Sequence, residues 1–346
     1  RYIGFPGFIS TVISINYLYY YPLCTTVEHA VLYQMVITML TSMKSLAFLT
    51  GILALLAAIW FAVFAGSGFL RIYTEDIDES FYVDEGTTLS IESSFGVLDI
   101  TTYNGSSIEL TGEKKTNFGE GELDRIDIEV ETGKEFSIDI DNNDYWWVWF
   151  SIDIKIPKFV ILEEIDLISG SLEIEDTHGP LDINMKSGDL KITGHSGDLY
   201  ANCDDGELEV NDLHGNLTVD QNDGRIEADT VSGVVEVNSD TGEIILEDIS
   251  ILGSVRMNAG SLDVHFLNIH QYGSEIISDV GDINVRFPGD INCSLDIKVE
   301  LGDIRIRNLN IDYTRDEETD KMGTVGEGGP TLRIRLDLGD IEVEGI

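Results

Sequence analysis

Residues 186–211, KSGDLKITGHSGDLYANCDDGELEVN, contain the repeat that decides the fold. Their glycines belong to a longer series in which every interval is nine residues. The series comprises Gly170, Gly179, Gly188, Gly197, Gly206, Gly215, Gly224, Gly233 and Gly242. Only 34 of the 346 residues are glycine, so chance does not produce such a run of equal intervals. A fixed short period predicts a repeat architecture.

The residues between the glycines alternate in polarity. Aliphatic side chains stand two and four positions after each glycine, as Leu190 and Ile192 do after Gly188, and the residue between them is mostly polar. This period of two predicts a short strand with one buried face. A nine-residue unit cannot bury that face alone, so neighbouring units must stack. We therefore predict an all-β, solenoid-like fold with two units, about 18 residues, in each coil. A twisted antiparallel meander is the alternative.

Asparagine and aspartate recur five positions after the glycines. These residues are Asn184, Asn202, Asn211, Asp220, Asp229 and Asn238. Both residue types tolerate left-handed backbone and form local side-chain turns. The pattern places turns at these positions and corners at the repeat glycines, where each glycine and the residue before it complete the corner.

The repeat is regular over residues 168–250 and looser on both sides, from Gly96 to Gly339. We therefore predict one β-repeat domain over residues 73–346. The segment from Asp316 to Pro330 is rich in glycine and acidic residues, and we expect it to form a mobile loop.

An apolar segment precedes the repeats. Ser45 to Leu70 carries no charge and is long enough to span a membrane as a helix. Lys44 before it and the acidic residues after it favour an extracytoplasmic repeat domain. Residues 43–72 are thus a transmembrane anchor or, alternatively, a cleaved signal peptide. Residues 1–42 precede Met43, which resembles a natural start, and we expect them to be a non-native N-terminal extension.

The repeats resemble a known family. The residues that carry the resemblance are Ile156-Pro157-Lys158, the run Ile168-Ser169-Gly170-Ser171-Leu172-Glu173-Ile174 and the Ser-Gly-Asp-Leu-x-Ile units after it. Over residues 90–345 the chain is similar to the prokaryotic "putative adhesin" β-strand-repeat domain of unknown function. The resemblance implies a β-solenoid on a cell surface and a role in adhesion. It implies no catalytic residues.

The charge of the chain excludes one class of partner. With 63 acidic and 21 basic residues the formal net charge is −42, which repels phosphate backbones and excludes nucleic acid. Glu209 and Glu227 are 18 residues apart, so the stack would place these like charges side by side. A solvated acidic face or weakly held divalent cations would relieve their repulsion.

Candidate reactive residues are few. Cys24, Cys203 and Cys293 have no zinc-ligand spacing; Cys203 and Cys293 are either a disulfide bridge or two separate buried thiols. His178 and His214 would lie two coils apart, about 10 Å, which favours corner hydrogen bonds over a shared metal. We find no nucleophile elbow, P-loop or zinc-protease motif. The sequence therefore predicts no catalytic, metal or cofactor site.

One strand is unusually aromatic. Tyr145, Trp146, Trp147 and Trp149 fall within six residues and occupy both faces of the strand. Such residues could plug an open end of the solenoid, contact a protein or glycan, or sit at a membrane interface. We take these four residues as the candidate contact site.

Together these features predict a membrane-anchored cell-envelope protein that presents an acidic β-repeat surface, as an adhesin or scaffold, without enzymatic activity. Its expected partners are the membrane, through Ser45 to Leu70, and an envelope protein or glycan. An envelope sensor and a carbohydrate-active β-helix enzyme are the alternatives, the second because paired carboxylates can act as acid and base.

Overall fold

A computed structural model describes residues 55–56, 71–142, 145 and 147–346, and the described residues from Arg71 onward form an all-β fold. The chain divides into two compact units, Arg1–Leu70 and Arg71–Ile346, and every described strand lies in the second. In chain order the strands are β1 (Tyr73–Tyr82), β2 (Thr88–Tyr103), β3 (Ser107–Thr116), β4 (Asp127–Glu131), β5 (Glu135–Asp141), β6 (Val148–Pro157), β7 (Ile161–Glu175), β8 (Leu181–Thr193), β9 (Leu199–Leu213), β10 (Leu217–Ile269), β11 (Ser274–Phe287), β12 (Cys293–Leu301), β13 (Ile304–Arg307), β14 (Ile311–Asp316), β15 (Asp320–Val325), β16 (Thr331–Leu338) and β17 (Ile341–Gly345). A short 3₁₀ helix, Glu120–Arg125, lies between β3 and β4.

The repeats stack as parallel strands with an 18-residue register. Leu190 of β8 is opposite Leu208 of β9, which in turn is opposite Ile226 of β10. This register confirms the solenoid-like arrangement, and the antiparallel meander is wrong for the repeats. The aliphatic residues two and four positions after the glycines are buried throughout residues 170–246, as the alternation predicts. They form one continuous core along the stack.

Glycines form the tightest contact between coils. Gly206 has a φ of +139°, and a Cβ added to it would lie 1.8 Å from the carbonyl oxygen of Gly188 in the adjacent coil. Gly188 makes the same approach to Gly170. A side chain fits neither the backbone conformation nor the space, so the strands can bend and stack here only through glycine.

Most of the repeat glycines have a positive φ, as predicted, but the asparagine and aspartate positions five residues after them are not left-handed. Among the described residues, the non-glycine positions with positive φ on the repeats lie six residues after every second glycine, not five. They are Asp176, Asp212, Thr230 and Asp248, with φ between 52° and 60°. Asn184, Asn202, Asp220 and Asn238 lie within strands, and the amide of Asn238 donates to Asp220 one coil away at 2.8 Å. The two units of a coil therefore end in different corners, and the recurring amides join coils instead of making turns.

The chain does not stack its coils in sequence order at either end. Near the N-terminus, β2 lies between β7 on one side and β5 and β6 on the other, parallel to all three. Near the C-terminus, β16 and β17 lie between β11 on one side and β12 and β13 on the other. The first coil in the sequence, which contains β2, therefore lies inside the stack between two later coils. The last coil, which contains β16 and β17, likewise lies between two earlier coils.

Antiparallel strands cover the ends of the stack. β3 covers β6 and is itself covered by β1, while β4 pairs with β5. At the other end β15 pairs with both β12 and β14. The loop predicted from Asp316 to Pro330 is therefore wrong in part, because Asp320–Val325 is a paired strand. Its glycine content reflects tight packing, since a Cβ at Gly323 would lie 2.7 Å from the carbonyl oxygen of Asp312.

The predicted membrane segment lies almost wholly outside the described residues. Within Ser45 to Leu70 only Leu55 and Leu56 are described, and both are helical. None of the helices in the described part of the chain has the length and apolar character needed to cross a membrane. Residues 1–42 are also outside the described residues.

The two cysteines of the repeat domain are separate buried thiols. Cys203 and Cys293 are both free, so the interpretation as a disulfide bridge is wrong and that of two thiols is confirmed. Burial raises the pKa of Cys203 to about 12, helped by the charge of Asp204, and raises the pKa of Cys293 to about 11. Both thiols therefore stay protonated and unreactive in the folded protein.

A buried histidine escaped the sequence analysis. His195 is 0 % exposed, and its Nδ1 lies 2.8 Å from the hydroxyl of Thr177 one coil away. Desolvation is the main effect and lowers the pKa of His195. A hydrogen bond with the Gly179 backbone raises this pKa by less than desolvation lowers it, and the smallest effect, that of the nearby His178, lowers it. The ring is therefore neutral in the folded protein over a wider pH range than in the unfolded chain.

We expect this histidine to make the protein less stable in mild acid. The usual pKa is 6.5, so below that pH the unfolded chain binds a proton that the folded protein refuses, and stability falls as pH decreases. Thermal melting between pH 7.5 and 5 should show this loss, and His195→Leu should reduce it, because Leu213 already occupies the equivalent buried position. His214→Gln, an exposed control, should retain the loss. Equal pH dependence in the wild type and His195→Leu would contradict the assignment.

Candidate binding groove

A groove of about 740 Å³ lies near the N-terminal end of the stack. It crosses β5, β2, β7, β8 and β9, so at a strand spacing of about 4.8 Å it is about 19 Å long. Its carboxylates are Glu92, Asp139, Asp141, Asp166 and Asp204. We call it the acidic groove.

Strand alternation builds the groove from two outward columns of side chains. In the first column Asp139, Glu92 and Asp166 are in register on three adjacent strands, followed by Asn184 and Asn202. The second column lies two residues further along each strand and contains Asp141, Ser94, Ile168, Lys186 and Asp204. The residues between the columns, such as Leu167 and Met185, are buried in the core. The core thus fixes both walls of the groove.

Amides and carboxylates alternate along part of these columns. Asn184 donates to Asp166 at 2.9 Å, and further along the second column Asn222 donates to Asp204 at 3.0 Å. These bonds lie between coils and replace like-charge contacts with charge-assisted hydrogen bonds. At the N-terminal end the first column has no amide, and there Asp139, Glu92 and Asp166 lie side by side.

Negative charge is concentrated beyond the groove as well. A smaller hollow of about 300 Å³ shares Glu92, Asp139 and Asp166 and adds other carboxylates from β4 and β7. Burial raises the pKa of Asp182 on the neighbouring strand, and the charge of Asp166 raises it further. The groove therefore lies in a region of negative potential.

Elsewhere on the stack, basic residues lie beside the acidic residues and pair with them. Lys191 lies 3.9 Å from Glu173 and 3.8 Å from Glu209, and so sits between two carboxylates. Arg225 contacts Glu227 at 2.8 Å and also pairs with Glu243. The predicted side-by-side placement of Glu209 and Glu227 is confirmed, and these two cations relieve the repulsion.

The turn that contains Tyr145 and Trp147, which we call the aromatic turn, begins at the rim of the groove. Ser94, which lines the groove, accepts a hydrogen bond from the backbone N–H of Asn142 at 3.0 Å. The N–H of Tyr145 then donates to the carbonyl of Asn142 at 3.1 Å. Of the four predicted contact residues, Tyr145, Trp147 and Trp149 are half-buried, and Trp146 lies outside the described residues.

Tyr145 and Trp147 pack into a cluster. Their rings are 4.9 Å apart, and the indole of Trp147 donates to Glu122 at 2.9 Å. Arg125 pairs with Glu122 and lies 4.1 Å above the ring of Tyr145. These contacts join the turn to the 3₁₀ helix, which favours a structural role for Trp147.

Trp149 faces the other way from the core residues beside it. It is the half-buried residue of β6 between the buried Val148 and Phe150. The ring of Phe150 lies against Gly96 on β2, only two residues from Ser94 in the groove. Trp149 therefore points away from the core, and its half-buried side chain can be reached by a partner.

The remaining candidates do not form a reaction centre. Burial raises the pKa of Asp99, and Asp153 raises it further through its charge and a hydrogen bond. Hydrogen-bonded carboxyl groups are closer than the roughly 5 Å or more that a glycosidase needs between acid and nucleophile. His178 and His214 are at corners, where the N–H of His214 donates to the carbonyl of His195 at 2.8 Å. Among the described residues, no group of three or more histidine, cysteine or acidic side chains could hold a metal ion.

Comparison with known protein families decides the relationship. The family model named Toastrack DUF4097 matches residues 87–344, which is most of the chain and nearly the whole of the described stack. The chain belongs to the Toastrack DUF4097 family. This confirms the resemblance to the β-strand-repeat domain of unknown function, and the groove and the aromatic turn both lie inside the Toastrack match.

Solved structures with similar chains have low sequence identity. A "putative cell adhesion protein" of Clostridium sporogenes is 14% identical, covers 79% of this chain and 100% of its own, and has a TM-score of 0.17. A "putative lipid binding protein" of Parabacteroides distasonis is 14% identical over 79% and 98% of the two chains, with a TM-score of 0.40. A "putative adhesin" of Bacteroides fragilis is 12% identical over 80% and 98%, with a TM-score of 0.27.

These TM-scores are too low to transfer any property to this Toastrack protein. A search of curated proteins finds no match to it. Its function must therefore be argued from its own surface.

Proposed function

We propose that this protein is a non-enzymatic binding protein or scaffold of the cell envelope. In this proposal Ser45 to Leu70 holds it at the membrane, and the β-repeat domain faces outward. The acidic groove at one end of the stack carries the proposal, because it combines carboxylates with an exposed apolar side chain, Ile168, in its wall.

The architecture supports binding better than catalysis. The groove is a shallow trough whose walls are carboxylates and amides repeated from coil to coil. Catalysis requires a few different groups held at fixed geometry in a partly dry site. Binding requires only a surface whose shape and charge fit the partner, and a regular stack holds such a surface rigidly.

The experiment uses the purified full chain in detergent. It should be screened for binding to envelope polysaccharides and envelope proteins, and for cleavage of the same polysaccharides. We expect binding without turnover. Hydrolysis or elimination that disappears when a single carboxylate is replaced would overturn the proposal.

Two tryptophan variants test whether the aromatic turn takes part. Trp149→Ser should weaken binding with little change in melting temperature, because its side chain is outward. Trp147→Ser should lower the melting temperature, because it breaks the contacts with Glu122, Tyr145 and Phe118. Unchanged binding in Trp149→Ser would remove this residue from the contact site.

A further inference from the structure

Exposed apolar side chains border the acidic groove. Ile168 lies in its wall and is 48% exposed, and Phe95 follows Ser94 of the groove and is 40% exposed. Exposed apolar side chains beside a groove are surface that a bound partner can cover.

The charge next to this apolar patch is poorly compensated. In the part of the chain that the structure describes, neither Glu92 nor Asp139 forms an ion pair with a lysine or arginine, although they lie opposite each other on adjacent strands. Lys186 is the one basic residue among those lining the groove. A partner that brings positive charge would relieve the repulsion between these carboxylates.

We propose that the acidic groove docks a basic protein segment whose apolar side chains cover Ile168 and Phe95. This inference rests on the proposed binding function and names the partner class. At about 3.3 Å per residue, a groove about 19 Å long accommodates about six residues of an extended chain. Lysine or arginine would pair with Glu92 and Asp139, and aliphatic residues would cover the apolar rim.

Charge complementarity favours this occupant over others. A neutral glycan would leave the adjacent carboxylates unpaired, and a polyamine would supply charge but would not cover the apolar side chains. Neutralising charge and burying apolar surface together require a polymer that carries both kinds of side chain, and a polypeptide does so.

The test measures binding of the full chain to a synthetic peptide of alternating lysine and leucine, about six residues long. Two further peptides replace lysine with glutamate or leucine with serine, and spermidine is the probe for a polyamine. We expect the first peptide to bind, the serine peptide to bind at least about tenfold more weakly, and the glutamate peptide not to bind. Equal affinity for spermidine and the first peptide would overturn the proposal.

A chain with a net charge of −42 attracts any cation, so position must be tested separately from charge. The double variant Glu92→Gln and Asp139→Asn removes two charges from adjacent strands in the groove. The double variant Asp279→Asn and Asp337→Asn removes two exposed charges from adjacent strands near the other end of the stack. We expect at least about tenfold weaker binding in the first and less than about twofold change in the second. Equal losses would overturn the groove assignment.

A test variant and a matched control variant examine the apolar contact. Ile168→Ser should weaken peptide binding, and Leu301→Ser, which changes an exposed leucine near the other end, should not. Melting temperatures of all variants establish that each is folded. If peptide binding fails while the chain still binds a glycan without turnover, this inference is wrong and the proposed binding function stands. Polysaccharide cleavage would instead remove the proposed function.

Discussion

Gly206→Ala is expected to lower the unfolding free energy of the protein by about 4 kcal/mol or more, at the upper end of what single substitutions do. The added methyl group would lie 1.8 Å from the carbonyl oxygen of Gly188, and the residue has a φ of +139° that alanine rarely adopts. Because the obstacle is backbone, the two coils must move apart and lose hydrogen bonds. Chemical denaturation followed by circular dichroism would measure the loss.

The control for this variant is Gly121→Ala. Gly121 lies in the 3₁₀ helix, is exposed, and has no atom within 4 Å of an added Cβ. It should change stability by no more than about 0.5 kcal/mol. If Gly206→Ala were as stable as this control, the close stacking of the glycines would be wrong.

Removing residues 330–346 is expected to unfold the C-terminal end of the stack. A simple solenoid tolerates loss of its last repeat, because each repeat contacts only its neighbours. Here β16 and β17 lie between β11 and the pair β12 and β13, and they bury Leu332, Ile334 and Leu336. Hydrogen exchange should show that the amides of β12 and β13 lose protection, while those of β8 and β9 keep it.

Adding the missing segment back provides the control. A synthetic peptide of residues 330–346 should restore protection in β12 and β13 by inserting between the two coils. A scrambled peptide of the same composition should not. Full protection of β12 in the truncated chain would show that β12 can stack directly on β11, and would contradict the enclosed position of the last coil.

The sequence predicts the interior of the stack well. Alternation and the nine-residue period determine which side chains are buried, so Leu190 and Ile192 were assigned to the core from the pattern alone. The period also determines the register, since parallel coils of 18 residues place Glu209 beside Glu227.

The order of the coils could not be predicted, because the repeat is compatible with more than one order. Because the strand edges of all coils are alike, the sequence of one coil does not determine which coils stack on it. The positions of β2 between β6 and β7, and of β16 between β11 and β12, are therefore not predictable from the repeat. The acidic groove depends on that order. Glu92 meets Asp139 only because the coil that contains β5 lies outside the one that contains β2.

The aromatic cluster depends on a contact between residues that are distant in the sequence. Trp147 donates to Glu122, which lies in an insertion outside the repeat pattern. The four aromatic residues were visible in the sequence, but their partners were not. His195 was missed for a different reason, because an isolated histidine between two glycines looks like part of an exposed corner.

Copies of this protein crowded on one surface would not fuse into a continuous sheet through their N-terminal strands. Among the described strands β1 pairs only with β3, and its sequence YTEDIDESFY is mostly exposed and acidic. A second β1 approaching edge to edge would bring Glu75, Asp76, Asp78 and Glu79 against their own counterparts, which opposes strand addition. Even at high local density, neighbouring molecules would therefore not add strands to one another through this edge.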